Sequence, residues 1–163
     1  RFLNAVAVDP ATGRIHAVGQ DLSALDRDAA AWTSTDGITW SEAQPDNHPF
    51  GADNRQFIND VVETEGGFIA VGSDGRTGDD LDDDQAAIWV SSDGLEWYRL
   101  DDSDDVFGGR GDQRMFGIAH DGSTYVAVGF DDSRGDDDAA VWLSSDGRSW
   151  RRVEPDGFSR ARD

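Results

Sequence analysis

One short pattern occurs three times in the chain, and this repetition is the strongest constraint on its fold. The copies span residues 32–40, 89–97 and 142–150, and together they hold all six tryptophans of the 163-residue sequence. Each copy begins and ends with tryptophan and carries a serine and an Asp-Gly pair between them. A unit that recurs in this way indicates a repeat architecture.

Each copy is predicted to form a tight β-hairpin. The Asp-Gly pair is a strong hairpin signal because glycine accepts a positive φ and the aspartate side chain bonds to backbone N–H groups of the turn. The flanking Trp, Val, Leu, Ile and Thr residues favour strands, and the serine adds a further side-chain bond to the turn. We therefore predict a structural role for the turn residues Ser34, Asp36, Gly37, Ser91, Asp93, Gly94, Ser144, Asp146 and Gly147.

Alignment on the tryptophans extends the repeat to about 50–57 residues. Each unit holds an apolar strand, an Ala-Val-Gly strand, a polar loop, an Ala-x-Trp strand and a last strand at the second tryptophan. No segment shows the i, i+3, i+4, i+7 apolar spacing of an amphipathic helix. The pattern predicts an all-β chain of three four-stranded antiparallel units that match the blades of a β-propeller.

The chain is interpreted as a single repeat domain over residues 1–163. The blades are expected at about residues 1–49, 50–106 and 107–157, and residues 158–163 would begin the next inter-blade loop. The tryptophans are expected to wedge between neighbouring blades. The predicted core positions are Val6, Val8, Ala17, Val18, Trp32, Ile69, Val71, Trp89, Val126, Val128 and Trp142.

The turn sequence Ser-x-Asp-Gly-x-x-Trp resembles the Asp-box of sialidase-type and related β-propellers, whose usual form is Ser-x-Asp-x-Gly-x-Thr-Trp. All three copies here lack one residue between Asp and Gly, and only Thr39 keeps the threonine before tryptophan. The resemblance covers the chain at the level of its repeats and implies a propeller. It implies no single activity, because such propellers serve as hydrolases, lectins, assembly factors and receptors.

Three blades do not close a ring, since complete propellers typically have about four to eight. The expected partner is a second copy that completes a six-bladed ring, because a two-fold assembly of this kind is closed. The alternative is further blades of a longer chain. The first residue is Arg rather than Met, so we expect a fragment or a processed form.

The formal net charge of -20 limits the classes of partner. Such a surface repels phosphate backbones and anionic lipid heads, which argues against nucleic-acid and membrane-surface binding. No run approaches the roughly 18 apolar residues of a membrane span. Glycans, proteins and divalent cations remain compatible. Without cysteine the redox environment stays open, and an extracellular or cell-surface location is the one we favour.

Asp-rich loops between the second and third strands form a candidate calcium site, because Ca²⁺ prefers carboxylate oxygens. Asp80, Asp82 and Asp84 have the alternating spacing of the first half of a calcium loop, but Gln85 stands where such a loop has glycine. No cofactor is required by this interpretation, and a solvated acidic loop is the alternative. The candidate metal ligands are Asp80, Asp82, Asp84, Asp136 and Asp138.

Two arginines in the inter-blade loops are candidate ligand-binding residues. Arg55 and Arg114 occur in the similar segments 53–57 and 112–116. An arginine on an acidic surface either binds a carboxylate ligand through two parallel bonds or pairs with neighbouring aspartates. Structural pairing is the favoured alternative, because the position recurs with the repeat.

These features favour a non-catalytic binding or scaffold module that contacts a protein, glycan or cation through its acidic loops. No nucleophile, base and orienting group fall on matching strands. Sialidase chemistry, by resemblance, would need an arginine triad on the inner strands and a tyrosine with a carboxylate partner, and the only tyrosines are Tyr98 and Tyr125. The alternatives are part of a glycoside hydrolase whose other blades lie outside this chain, and a calcium-stabilised extracellular surface domain.

Overall fold

A computed structural model describes residues 1–22, 27–43, 50, 55–75, 83–100, 106–135, 137–154 and 157–158. This part of the chain is all-β and contains no helix. The strands are β1 Phe2–Val8, β2 Ile15–Asp21, β3 Asp28–Ser34, β4 Ser41–Glu42, β5 Gln56–Thr64, β6 Gly67–Gly75, β7 Asp84–Ser91, β8 Tyr98–Arg99, β9 Gln113–His120, β10 Tyr125–Asp131, β11 Asp138–Ser144 and β12 Trp150–Val153.

The strands form three four-stranded antiparallel sheets, each in simple sequence order. Sheet 1 contains β1 to β4, sheet 2 contains β5 to β8, and sheet 3 contains β9 to β12. The prediction of an all-β chain built from three four-stranded antiparallel units is therefore confirmed. Consecutive strands pair because each is joined to the next by a short connection or a loop, as in a β-meander.

The first strand of every sheet carries a β-bulge at the same place. The pairing register shifts at Asn4 in sheet 1, at Asn59 in sheet 2 and at Phe116 in sheet 3. Next to each bulge the second strand places the glycine of its Ala-Val-Gly sequence. A Cβ on Gly72 would overlap the carbonyl oxygen of Phe57, and Gly19 and Gly129 are equally crowded. The recurring glycine is thus required by the close approach of two backbones.

The hydrophobic core lies between sheets rather than within one sheet. One cluster joins sheets 1 and 2 and includes Val18, Ile58 and Trp89. A second cluster joins sheets 2 and 3 and includes Val71 and Trp142. Of the predicted core positions, Ala17, Val18, Trp32, Ile69, Val71, Trp89 and Trp142 are buried.

The core prediction is wrong for Val6, Val8 and Val128, whose exposed fractions are 60%, 53% and 46%. Val126 is only half-buried. Their positions in the repeat are buried where a neighbouring sheet follows or precedes, as Val71 shows at 0% exposure. These valines lie on the outer faces of sheets 1 and 3, which no described sheet covers. The error therefore concerns the neighbours of the strands, and the alternation along each strand is as expected.

Successive first strands are also joined by side-chain hydrogen bonds. The Asn4 Nδ2 atom donates to the Ile58 carbonyl oxygen at 2.7 Å, and Asn59 Nδ2 donates to the Met115 carbonyl oxygen at 2.7 Å. The bulge aims each asparagine at the next sheet. Phe116 takes this place in sheet 3.

Candidate functional site

The acidic loops end in a compact ion-pair cluster at one end of sheets 2 and 3. Asp84 begins β7 and is fully buried at 0% exposure. Its Oδ2 atom lies 2.8 Å from Arg114 Nε, and its Oδ1 atom lies 3.6 Å from Arg55 Nη2. Arg114 Nη2 also donates to Asp112 Oδ2 at 2.7 Å. We call Asp84, Asp112, Arg55 and Arg114 the loop-end cluster.

The loop-end cluster balances burial against charge. Burial raises the pKa of Asp84, whereas the positive charges of Arg114 and Arg55 lower it, and burial is the larger effect. A buried carboxylate needs such partners because its desolvation is costly. Arg114 is therefore a counter-ion of Asp84 and of Asp112 together.

Carboxylates at the same end also cap backbone N–H groups. Asp84 N–H donates to Asp112 Oδ1 at 2.8 Å, and Gly111 N–H donates to Asp83 Oδ2 at 3.2 Å. Asp112 N–H in turn donates to Asp132 Oδ1 at 3.0 Å. Because backbone N–H groups away from water need acceptors, these aspartates stabilise the loops between strands and between sheets.

The structure places the two candidate arginines at one carboxylate, but they are not equivalent in the repeat. The register pairs Gln56 with Asp74 and Gln113 with Asp131, so Gln56 corresponds to Gln113. The sequence alignment that matched Arg55 with Arg114 is wrong by two residues. Similar local composition produced that match, and only strand register reveals the shift.

A repeated buried polar triad was missed from the sequence. In sheet 2, Gln56 Nε2 donates to Asp74 Oδ2 at 3.2 Å, and Arg99 Nε lies 2.9 Å from the same oxygen. Each triad takes one residue from the first, second and fourth strands of its sheet. The only available signal was a glutamine that precedes the first bulge in both repeats.

Sheets 1 and 3 carry counterparts of this triad. In sheet 3, Gln113 Nε2 donates to Asp131 Oδ1 at 3.0 Å, and the same aspartate pairs with Arg152. The Arg152 guanidinium lies 6.0 Å from the centroid of the Trp142 ring. In sheet 1 the charges are exchanged: the first-strand residue is Arg1, which lies 2.9 Å from Asp21 and 3.4 Å from Glu42.

The candidate metal ligands do not come together among the described residues. Asp84 faces two arginines, and Asp138 is half-buried at the start of β11. Asp80, Asp82 and Asp136 lie outside the described residues. Within the described ranges, no group of three or more His, Cys, Asp or Glu side chains is arranged to hold a metal ion.

The Asp-Gly turns lie at the opposite end of the sheets. In sheet 3, Asp146 Oδ1 accepts the N–H groups of Arg148 and Ser149 at 2.8 and 2.6 Å, and Gly147 N–H donates to Ser144 Oγ at 2.9 Å. The connection spans five residues here, rather than the two of a tight hairpin. The same contacts recur at Ser34, Asp36, Gly37, Ser91, Asp93 and Gly94.

The turn carboxylates are stabilised in their ionised form. Hydrogen bonds from the N–H groups of Thr39 and Ile38 lower the pKa of Asp36 to about 2. Bonds from Ser149 and Arg148 lower the pKa of Asp146 to about 2. Burial alone would raise the pKa of Asp93, but its backbone hydrogen bonds outweigh burial and lower it. The three aspartates act as anionic acceptors for their own turns.

A cleft of about 430 Å³ lies between sheets 2 and 3 at this turn end. Its walls include Phe68, Ile69 and Leu100, and Tyr98 and Tyr125 bring two phenol rings to it. The polar rim includes Ser92, Asp146 and Arg148. This combination of apolar walls, aromatic rings and a few polar groups is typical of small-molecule sites.

Comparison with known proteins supports the fold and leaves the activity open. No protein-family model and no curated protein sequence matches the chain. One similar solved structure is a complex of BT0996 and RGII, with a TM-score of 0.52 and 16% identity over 85% of this chain. The match covers 47% of that protein, so the chain spans about half of its length. At this identity the likeness shows the fold alone.

Among the described residues, no helix has the length and apolar character required to cross a membrane.

Proposed function

We propose that the three sheets are blades of a β-propeller and that the chain is a non-catalytic binding and scaffold module. Three features support the propeller. Every sheet is a four-stranded meander, successive first strands lie side by side, and tryptophans fill the spaces between sheets. The turns resemble Asp-boxes in their Ser, Asp and Gly residues, which fits the same architecture.

The single observation that carries the non-catalytic role is the closed pairing of the loop-end cluster. A general acid or nucleophile needs a free atom that can reach substrate. Arg114 instead lies between Asp84 and Asp112, and Asp84 is fully buried. The side chains with the strongest chemical potential at this end therefore hold the loops together.

Binding is assigned to the remaining carboxylates of the acidic loops. Asp137 is exposed beside β11, and the whole chain carries a net charge of -20. A surface of this sign attracts positively charged groups and steers their approach. The partner is thus a protein, a glycan or a cation that presents positive charge or hydrogen-bond donors.

A screen of fluorogenic glycosides with the wild type and the Asp112→Asn variant tests this function. A scaffold residue predicts no turnover in either protein and a lower melting temperature in the variant. Asp121→Asn, at the turn between β9 and β10, is the matched control because it removes one aspartate charge away from the loop-end cluster. Turnover by the wild type that Asp112→Asn abolishes and Asp121→Asn retains would overturn the non-catalytic role.

The cleft between sheets 2 and 3 favours a second candidate function, namely binding of a sugar ring. A sugar has apolar C–H faces that fit an aromatic ring and hydroxyl groups that fit a polar rim. Tyr98 is 56% exposed and offers such a ring, with Arg148 and Asp146 nearby. Binding on a glycan array that Tyr98→Ala removes, and that Ile38→Ala on sheet 1 retains, would support this site. Equal binding by both variants would contradict it.

A further inference from the structure

The outer face of sheet 3 is an apolar surface without a covering sheet among the described residues. Phe116 and Val128 are 54% and 46% exposed, Ala139 is exposed, and Val141 is half-buried. Val128 pairs with Val141 across β10 and β11. Large contiguous apolar surfaces of this kind are typical of interaction sites.

The same positions in sheet 2 form half of an interface that the chain already makes. Val71 pairs with Ile88 as Val128 pairs with Val141, and these two residues of sheet 2 are 0% and 1% exposed. They are buried by sheet 3. The outer face of sheet 3 thus has the composition and register of a surface that receives a following sheet.

The outer face of sheet 1 presents the opposite half of this interface. Leu3 and Val6 are 52% and 60% exposed. Leu3 corresponds to Ile58 and to Met115, because all three pair with the glycine of the Ala-Val-Gly sequence. Ile58 and Met115 are each 0% exposed, since a preceding sheet covers them. Trp32 is buried even on this face, so the exposed part is the first strand.

We infer that a second copy of this chain covers both faces, with sheet 3 of each copy packed on sheet 1 of the other. This inference rests on the proposed propeller and names its partner. Each new contact continues the interface between sheets 2 and 3, with Val128 in the role of Val71 and Leu3 in the role of Met115. Two such contacts related by a two-fold axis close a ring of six sheets, whereas a single unmatched contact would build a filament.

The new contact differs from the internal ones at the first strand. Asn4 and Asn59 donate hydrogen bonds to the next sheet, but Phe116 stands at that place in sheet 3 and packs on Phe130 with ring centroids 5.6 Å apart. An apolar ring replaces a hydrogen-bond donor. The contact between copies therefore depends on burial of Phe116 and Val128, and charge placed on this face disrupts it.

Measurement of the mass in solution tests the inference, with the 163-residue chain compared with Val128→Asp and Leu3→Asp. The wild type is expected at about twice 17.7 kDa. Each variant alone is expected as a monomer, because its charge lies in both contacts of the ring. Leu95→Asp is the matched control: Leu95 is also an exposed apolar residue, but it lies on the turn of sheet 2. This control is expected to remain a dimer.

A mixture of the two variants distinguishes this arrangement from other dimers. When Val128→Asp and Leu3→Asp chains meet, one contact carries both charges and the other contact is wild type. The mixture is therefore expected to recover dimers that neither variant forms alone. If two copies instead met through sheet 3 alone, Leu3→Asp would remain a dimer and the mixture would recover nothing.

A wild-type monomer that melts cooperatively would overturn the inference and leave the binding module intact, with another occupant for the two faces. Dimers that persist in Val128→Asp and Leu3→Asp would also overturn it. Loss of the near-ultraviolet tryptophan signal in the monomeric variants, but not in Leu95→Asp, would indicate unfolding rather than dissociation and contradict the assigned faces. The proposed function fails separately, through glycoside turnover that depends on Asp112.

Discussion

The imidazole ring of His16 fills the space beside Gly94 that a side chain there would need. His16 belongs to β2 of sheet 1, and Gly94 belongs to the turn between β7 and β8 of sheet 2. His16 Nδ1 lies 3.3 Å from the Gly94 carbonyl oxygen, and a Cβ on Gly94 would overlap the ring. Gly147 has the same relation to Ile69, whose Cδ1 atom would lie 2.5 Å from an added Cβ. The Asp-Gly turn therefore packs each of these two sheets onto the preceding one.

Replacement of Gly94 by alanine is expected to destabilise the fold more than replacement of Gly37. The two glycines have nearly equal φ angles of 71° and 72°, so both variants incur a backbone strain of about 1–2 kcal/mol. At Gly37 the nearest atom to an added Cβ is Ile15 Cδ1 at 3.6 Å, which is an ordinary contact. Gly94→Ala must also displace a buried ring, which adds about 1–3 kcal/mol. Urea unfolding measures the difference, and equal losses would show that the turn does not pack on sheet 1.

Burial of His16 predicts a loss of stability in mild acid. Burial lowers its pKa below the ordinary value of 6.5, although the hydrogen bond with Gly94 raises it in part. The unfolded chain therefore binds a proton first as the pH falls. Stability is complete above about pH 6.5 and decreases below it, towards the lower pKa of the folded state.

The variant His16→Ile checks this assignment, because Ile69 is the natural residue at the equivalent position of sheet 2. Melting temperatures are compared at roughly pH 7.5 and pH 5.5, on either side of the histidine pKa. The wild type is expected to lose more stability than the variant between these values. The same loss in both proteins would rule out His16 as the cause.

The substitution Asp84→Asn is expected to cost about 1–3 kcal/mol of folding free energy, because it leaves Arg114 and Arg55 without their shared buried carboxylate. Asp84 has no exposed surface, so water does not replace the lost charge. The exposed Asp137→Asn is the control and is expected to change stability by less than about 0.5 kcal/mol. Chemical unfolding of both variants gives the comparison. Similar stabilities would mean that the loop-end cluster is not a structural ion pair.

The three-fold tryptophan pattern was sufficient to predict the strand content and order. Trp89 and Trp142 belong to repeated strands, and period-two alternation assigns the faces of those strands. Val6 and Val128 show the limit of this information. A sequence tells which face of a strand is apolar, but the presence of a covering sheet depends on where the strand lies in the stack. Residues of identical pattern are therefore buried in sheet 2 and exposed on sheets 1 and 3.

The polar contacts were harder to predict because they depend on register. Asp36 bonds to N–H groups two and three residues away, and a local pattern is enough to find such a turn. Gln56 and Asp74 are 18 residues apart, and Arg99 joins them from the fourth strand. A bulge at Asn59 shifts the pairing by one residue. Without that bulge in view, charged residues near the sheet ends align incorrectly, as Arg55 and Arg114 did.

The turn aspartates predict a second loss of stability, in strong acid. The pKa values of Asp36 and Asp146 fall from 3.8 to about 2 on folding. Stability from these groups is therefore complete above about pH 4 and is lost as the pH falls towards about 2. Asp84 acts in the opposite direction, since its raised pKa lets the folded protein bind a proton more readily than the unfolded chain. The triple variant D36N/D93N/D146N keeps an oxygen acceptor in each turn and removes its titration. Its stability is expected to decrease less than that of the wild type between roughly pH 4 and pH 2, as measured by tryptophan fluorescence. If the two curves ran parallel, the turn carboxylates would not be the source of the acid sensitivity.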